Sequence, residues 1–200
     1  MKRPPETLTQ AEVVAIVSEL AGRSPEKSLN PTRDRVGVRN AAIVAVFYRC
    51  GLRSQELIDL DMRDFDAEAR TLRVRHGKGD KCRLVGLDDF SLDYMTRCLV
   101  ARGNEPGPIF KTSTGQRLQP SYLRKFLPKV AEQCGIEKRV HPHGMRHTCA
   151  SEMVNEGVSL HLIRDVLGHG NISTTDTYLR QVNPKQVLDA MRSRPLARTG

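Results

Sequence analysis

His143-Gly-Met-Arg-His147, Leu167-Gly-His169 and Ser173-Thr-Thr-Asp-Thr-Tyr178 follow one another through the last third of the chain. As chemistry, these residues suit phosphoryl transfer. An arginine grips phosphate oxygens with a planar fork of N–H donors, a histidine donates or relays a proton near neutral pH, and a tyrosine hydroxyl attacks phosphorus. Each piece also has an ordinary structural reading. His169 after Leu-Gly can simply close a helix, and Tyr178 can be a half-buried aromatic with its hydroxyl satisfied. His143 and His147 stand four apart and can face one metal from a helix. The zinc-protease pattern, however, needs a glutamate after the first histidine; Gly144 stands there and Arg146 adds a repelling charge, so no metal site is read.

Outward from this cluster the chain reads as mainly helical. Thr9-Gln-Ala-Glu12 has the form of a capping box, and Val13, Val14, Ile16, Val17 and Leu20 follow at helical spacing before Gly22. A polar stretch from Arg23 to Arg35 leads into an apolar run from Val36 to Cys50, ended by Gly51, which predicts a mostly buried helix. The period then changes. Thr71-Leu-Arg-Val-Arg75 and Cys82-Arg-Leu-Val-Gly-Leu87 alternate as strands do, around a tight Gly77-Lys-Gly-Asp80 connection, and predict a β-hairpin with Lys78 at its tip. Helices are expected again at 88–102 and 120–134, with a short extended piece between them near 109–118 that turns at Ser113-Thr-Gly115. Further helices are expected near 144–156, 159–167, 173–180 and 184–192. The fold class is therefore mainly α within α+β, a helical domain with a small antiparallel β-hairpin or sheet.

Composition narrows the partner. Thirty-two lysines and arginines against 23 acidic residues give a formal charge of +9 over 200 residues, with the arginines spread along the chain. Such a surface favours a polyanion, and nucleic acid before an acidic membrane face, because each phosphate neutralised releases condensed counterions. Five cysteines form no CxxC pair and read as small core residues in a reducing compartment. The start lacks an apolar signal segment and no long apolar run occurs, so a cytoplasmic protein without a membrane span is expected.

Order and spacing add what single residues do not. Gly51-Leu-Arg53-Ser-Gln-Glu56-Leu57, Gly77-Lys78-Gly79, His143 with Arg146 and His147, Leu167-Gly-His169, and Tyr178 nine residues later resemble the ordered motifs of the tyrosine recombinase or phage integrase family. Taken alone, Arg53 is an ordinary surface or helix-capping charge and Lys78 a solvated edge charge. The resemblance gives them roles and runs from about Leu8 to Tyr178. It implies that Tyr178 attacks the scissile phosphate and leaves a 3′-phosphotyrosyl bond. Arg53, Arg146, His143 and His169 hold the phosphate oxygens, and Lys78 protonates the leaving 5′-oxygen. Glu56 and His147 would orient an arginine or support a helix start. No cofactor, metal or ATP is implied, because bond energy is conserved in the phosphotyrosine.

The match departs from the family pattern in small ways. Met145 stands for a usual leucine, Gly86 for a frequent proline, and Arg180 where a histidine commonly follows the nucleophile. Residues 1–200 read as one catalytic domain, with a core over about 8–180 and a C-terminal helix or tail over 181–200. The separate N-terminal core-binding domain of most relatives reads as absent. Two origins stand open: a naturally short recombinase, similar to the single-domain enzymes of fimbrial phase variation, or a piece of a longer integrase. The resemblance implies double-stranded DNA as the partner, four protomers in a synapse, and a monomer or weak oligomer without DNA. Val182, Val187, Leu188 and Met191 would dock on a neighbouring protomer or on their own domain. The rival readings are relaxation like that of a type IB topoisomerase, a DNA-binding regulator that keeps the fold without catalysis, and, more distantly, a zinc hydrolase.

Overall fold

The computed structural model describes residues 6–22, 31–75 and 82–168. Lys78, His169, Tyr178 and the helices expected near 173–180 and 184–192 lie outside them. Helix α1 (Gln10–Ala21) opens as its sequence predicts. Thr9 Oγ1 accepts the Glu12 N–H at 3.2 Å and Glu12 Oε2 accepts the Thr9 N–H at 2.7 Å, a reciprocal capping box. Helix α2 (Pro31–Cys50) begins five residues before the expected Val36, with proline at its first position and Asp34 in its first turn. Ala41 through Phe47 are all fully buried. A helix apolar on every side belongs at the centre of a domain, and α2 is packed by α1, by α4 (Asp89–Arg102) and by α6 (Pro142–Asn155).

After α2 the chain turns through Gly51 into the short helix α3 (Ser54–Ile58) and then into a three-stranded antiparallel sheet, ordered β1 (Phe65–Asp66), β2 (Thr71–Val74), β3 (Arg83–Gly86). The expected hairpin is β2–β3, with Leu72 opposite Val85 and Val74 opposite Arg83. Leu72, Val74 and Val85 face inward while Arg73 and Leu84 face solvent, as period two requires. Strand β1 was not foreseen, since two residues are too few to show a period. Nothing lies within 4 Å of a Cβ built on Gly86, so the structure gives no reason for glycine there.

The extended piece between α4 and α5 (Pro120–Gln133) pairs Lys111 with Arg117 across the expected turn, and Pro108 bridges to Asp61. Among the cysteines, Cys50, Cys98 and Cys149 are buried and Cys134 is half-buried, but Cys82 is exposed, which corrects its reading as a core residue; all five are free. No helix among the described residues is long and apolar enough to cross a membrane.

The last described helix, α7 (Leu160–Leu167), stands apart from the main core. Ile163 and Leu167 form with Ala150 of α6 a small separate cluster. Gly51 makes the close approach to it possible. Its φ is +58°, and a Cβ there would lie 2.6 Å from Leu167 Cδ2 and 3.0 Å from Cys149 Sγ. Gly51→Ala is therefore expected to destabilise the fold by about 1–3 kcal/mol, read as a lower urea midpoint with an unchanged slope.

Candidate active site

The turn after α2 places Arg53 at the start of α3 in an extended conformation, φ −75° and ψ 154°. Glu56, one turn on, receives it twice: Oε2 accepts the Arg53 backbone N–H at 2.8 Å, and Oε1 accepts Nη1 at 2.6 Å. The far side of the guanidinium, Nη2, donates to the carbonyl of Gly168 at 2.8 Å. Arg146 reaches the same place from α6. It is buried, and donates from Nη1 to Gly51 O at 2.6 Å and from Nη2 to Leu167 O at 2.5 Å. The two arginines expected from sequence thus end on adjacent carbonyls at the C-terminus of α7, the negative end of its dipole.

A third arginine, which sequence reading missed, completes the arrangement. Arg83 of β3 donates from Nε to Val166 O at 3.0 Å, and grips Glu56 with Nη1 on Oε1 at 3.0 Å and Nη2 on Oε2 at 2.8 Å. Its signal was available. Arg83 shares a strand face with buried Val85 and so is a charge at an inward-facing position. Gly168 closes α7 in the left-handed region (φ 63°, ψ 44°), and a Cβ there would lie 3.0 Å from Arg83 Nη1.

Glu56 is nearly buried, which alone would raise its carboxyl. The hydrogen bonds from Arg83 and from the Arg53 backbone outweigh burial and hold it at about 2. Three guanidiniums against one carboxylate leave this cluster two positive charges in excess, the electrostatics of an anion site.

The histidines line the opening of α6. His141 caps the helix, its Nδ1 accepting the Gly144 N–H at 3.1 Å, a role sequence reading did not find. Gly144 is close-fitted beneath that ring: its Cβ would lie 3.3 Å from His141 Nε2. His143 is exposed. It meets the buried His147 Nε2 to Nε2 at 2.8 Å, as a hydrogen-bonded pair. Among the described residues no group of three or more histidines, cysteines or acids could hold a metal ion. The structure therefore brings together Arg53, Glu56, His143, Arg146 and His147, and adds Arg83.

Burial, then the charges of His143 and Arg146, push the His147 imidazole down to about 4. It is neutral at neutral pH, and one of the paired Nε2 atoms donates while the other accepts. In the unfolded chain the same ring takes up a proton near pH 6.5. The folded state accordingly loses stability as pH falls from about 6.5 towards 4, by at most about 3 kcal/mol from this group. Urea midpoints measured from about pH 7 to about pH 5, above the window in which Glu56 titrates, should decline, and less steeply in His147→Gln.

Comparison with known proteins gives the chain's family and fold. The Phage integrase family model matches residues 6–184. Tyrosine recombinase XerC of Lactobacillus delbrueckii subsp. bulgaricus is 34% identical over 184 residues, covering 88% of this chain and 59% of that protein. The chain thus spans about three-fifths of that relative's length. The crystal structure of XerA recombinase superposes with a TM-score of 0.79 at 25% identity, over 98% of this chain and 66% of that one. The XerH site-specific recombinase, bound to its palindromic difH substrate in a post-cleavage complex, shares the fold with a TM-score of 0.75 at 23% identity, over 96% of this chain and 54% of that one. The chain belongs to the phage integrase family of tyrosine recombinases.

Proposed function

We propose that this chain is the catalytic part of a site-specific DNA recombinase that cleaves and rejoins strands through a 3′-phosphotyrosyl intermediate. The observation that carries the proposal is the convergence of Arg53 and Arg146, from segments far apart in the chain, on adjacent carbonyls directly before His169. Two guanidiniums held at one point, with excess positive charge, fit the two non-bridging oxygens of a phosphodiester.

In this mechanism Tyr178 attacks phosphorus as the bond to the 5′-oxygen breaks. Lys78 supplies the proton that the departing oxygen takes, and the phosphotyrosine conserves the bond energy for religation, so ATP has no part. Arg53 and Arg146 stabilise the charge that builds on the non-bridging oxygens, with His143 and His169 as further donors; losing one such donor costs about 10²–10³ in rate. A tyrosine with a reference pKa near 10 is roughly one part in a thousand ionised at neutral pH, a deficit of about 4 kcal/mol that a cationic site reduces. Glu56 and His147 support the arginine and the start of α6. The partner is duplex DNA, engaged by four protomers in a synapse, and the catalytic unit runs from about residue 8 to 180.

Incubation with supercoiled plasmid in excess EDTA, followed by a detergent quench, tests the reading. Protein-linked nicked DNA is expected from the wild type and none from Tyr178→Phe, with duplex binding equal in the two. DNA binding without any adduct would favour a regulator that keeps the fold alone. Affinity for duplex should fall as roughly the 0.9Z power of salt for Z phosphate contacts; an affinity indifferent to salt would count against DNA as the partner.

A further inference from the structure

We infer that Arg83 is a positioning residue for this reaction: it balances the charge of Glu56 and fixes the carbonyl end of α7, so that Arg53 presents its guanidinium, uncancelled, to the scissile phosphate. The inference rests on the recombinase reading above. It begins with the saturation of Glu56. Each carboxylate oxygen accepts one bond from Arg53 and one from Arg83: Oε1 from the two Nη1 groups at 2.6 and 3.0 Å, Oε2 from the Arg53 backbone N–H and Arg83 Nη2, both at 2.8 Å. Four donors fill the four acceptor positions of a carboxylate. Two cations thus share one anion, and one positive charge remains over.

Without Arg83 the arithmetic changes. Glu56 and Arg53 become a neutral pair, with the carboxylate as a fixed competitor for the guanidinium that the phosphate needs. Arg83 is suited to prevent this because its side-chain exposure is only 13%, against 33% for Arg53. The more buried arginine serves the protein, and the more open one faces outward.

The second part of the role is geometric. Arg83 Nε donates to Val166 O, one residue before the carbonyl that takes Arg146 and two before the carbonyl that takes Arg53. Its guanidinium lies against the Gly168 backbone: a Cβ there would meet Nη1, Cζ and Nε at 3.0, 3.2 and 3.4 Å, so the flat face of the group occupies the space a side chain would take. A lysine keeps the charge but has one nitrogen for three acceptors. In the chain, Arg83 follows Lys78 by five residues.

The test measures the rate of covalent adduct formation on supercoiled plasmid in EDTA, duplex affinity, and melting temperature for the wild type, Arg83→Met, Arg83→Lys and the double variant Arg83→Met/Glu56→Gln. Arg83→Met should lower the adduct rate about 10–100-fold while duplex affinity stays within about twofold, and Arg83→Lys should fall between it and the wild type. The double variant should be faster than Arg83→Met alone, since removing the carboxylate's charge releases Arg53; a merely structural Arg83 predicts a further loss instead. Should Arg83→Met melt below the assay temperature, the same comparison is made with Arg83→Gln and Arg83→Gln/Glu56→Gln, which also remove the charge but keep a polar group. A wild-type rate in Arg83→Met, or a double variant no faster than its parent, overturns the inference and leaves the recombinase reading intact. A wild type that forms no adduct overturns that reading, and this inference with it.

Discussion

Three guanidiniums end on three consecutive carbonyls, Val166, Leu167 and Gly168, and the site depends on that constraint. The last carbonyls of a helix lack intrahelical partners and carry the negative end of its dipole. Here they are met from three directions, by β3, by α6 and by the turn after α2. Because the donors belong to elements far apart in sequence, α7 cannot be seated until the rest of the domain is. The site is assembled by folding itself, and its charges are aligned before any substrate arrives.

Charge excess in such a cluster is costly unless the members are held by dipoles and a counter-ion. Glu56 supplies the counter-ion and the α7 carbonyls supply the dipoles. Since one carboxylate serves two arginines, the cluster keeps a net positive charge while both guanidiniums remain partnered. The histidines follow a different logic: burial keeps His147 neutral, so it adds a hydrogen bond beside Arg146 without adding a fourth positive charge.

Much of this was legible in the sequence, for reasons that can be named. Thr9 with Glu12 announces a helix start through chemistry local to four residues, and α1 begins there. The alternation in Thr71–Arg75 and Cys82–Leu87 announces the hairpin in the same way, and the structure supplies its register. Glu56 was expected to orient an arginine or support a helix start, and it pairs with Arg53 at the start of α3. What escaped was non-local. Neither strand β1 nor helix α3 is long enough to display a period, and the start of α2 lies in a polar stretch where composition conceals the helix. Arg83 was passed over because its partners are 27 and 83 residues away, and only the tertiary fold brings them to it. His141 lies ahead of the helix expected from 144, and only the folded backbone brings its ring onto the first turn of α6.

The separateness of α7 has a further consequence. Its apolar anchor is the small cluster of Ala150, Ile163 and Leu167, set apart from the large core that α2 organises. Regions with few buried apolar contacts open locally at less cost than the global unfolding free energy. Detaching α7 would take all three carbonyl acceptors from the arginines in one event, while α1, α2 and α4 stayed packed. The unit that holds the arginines together is therefore smaller than the unit that holds the fold, and it turns on one eight-residue helix.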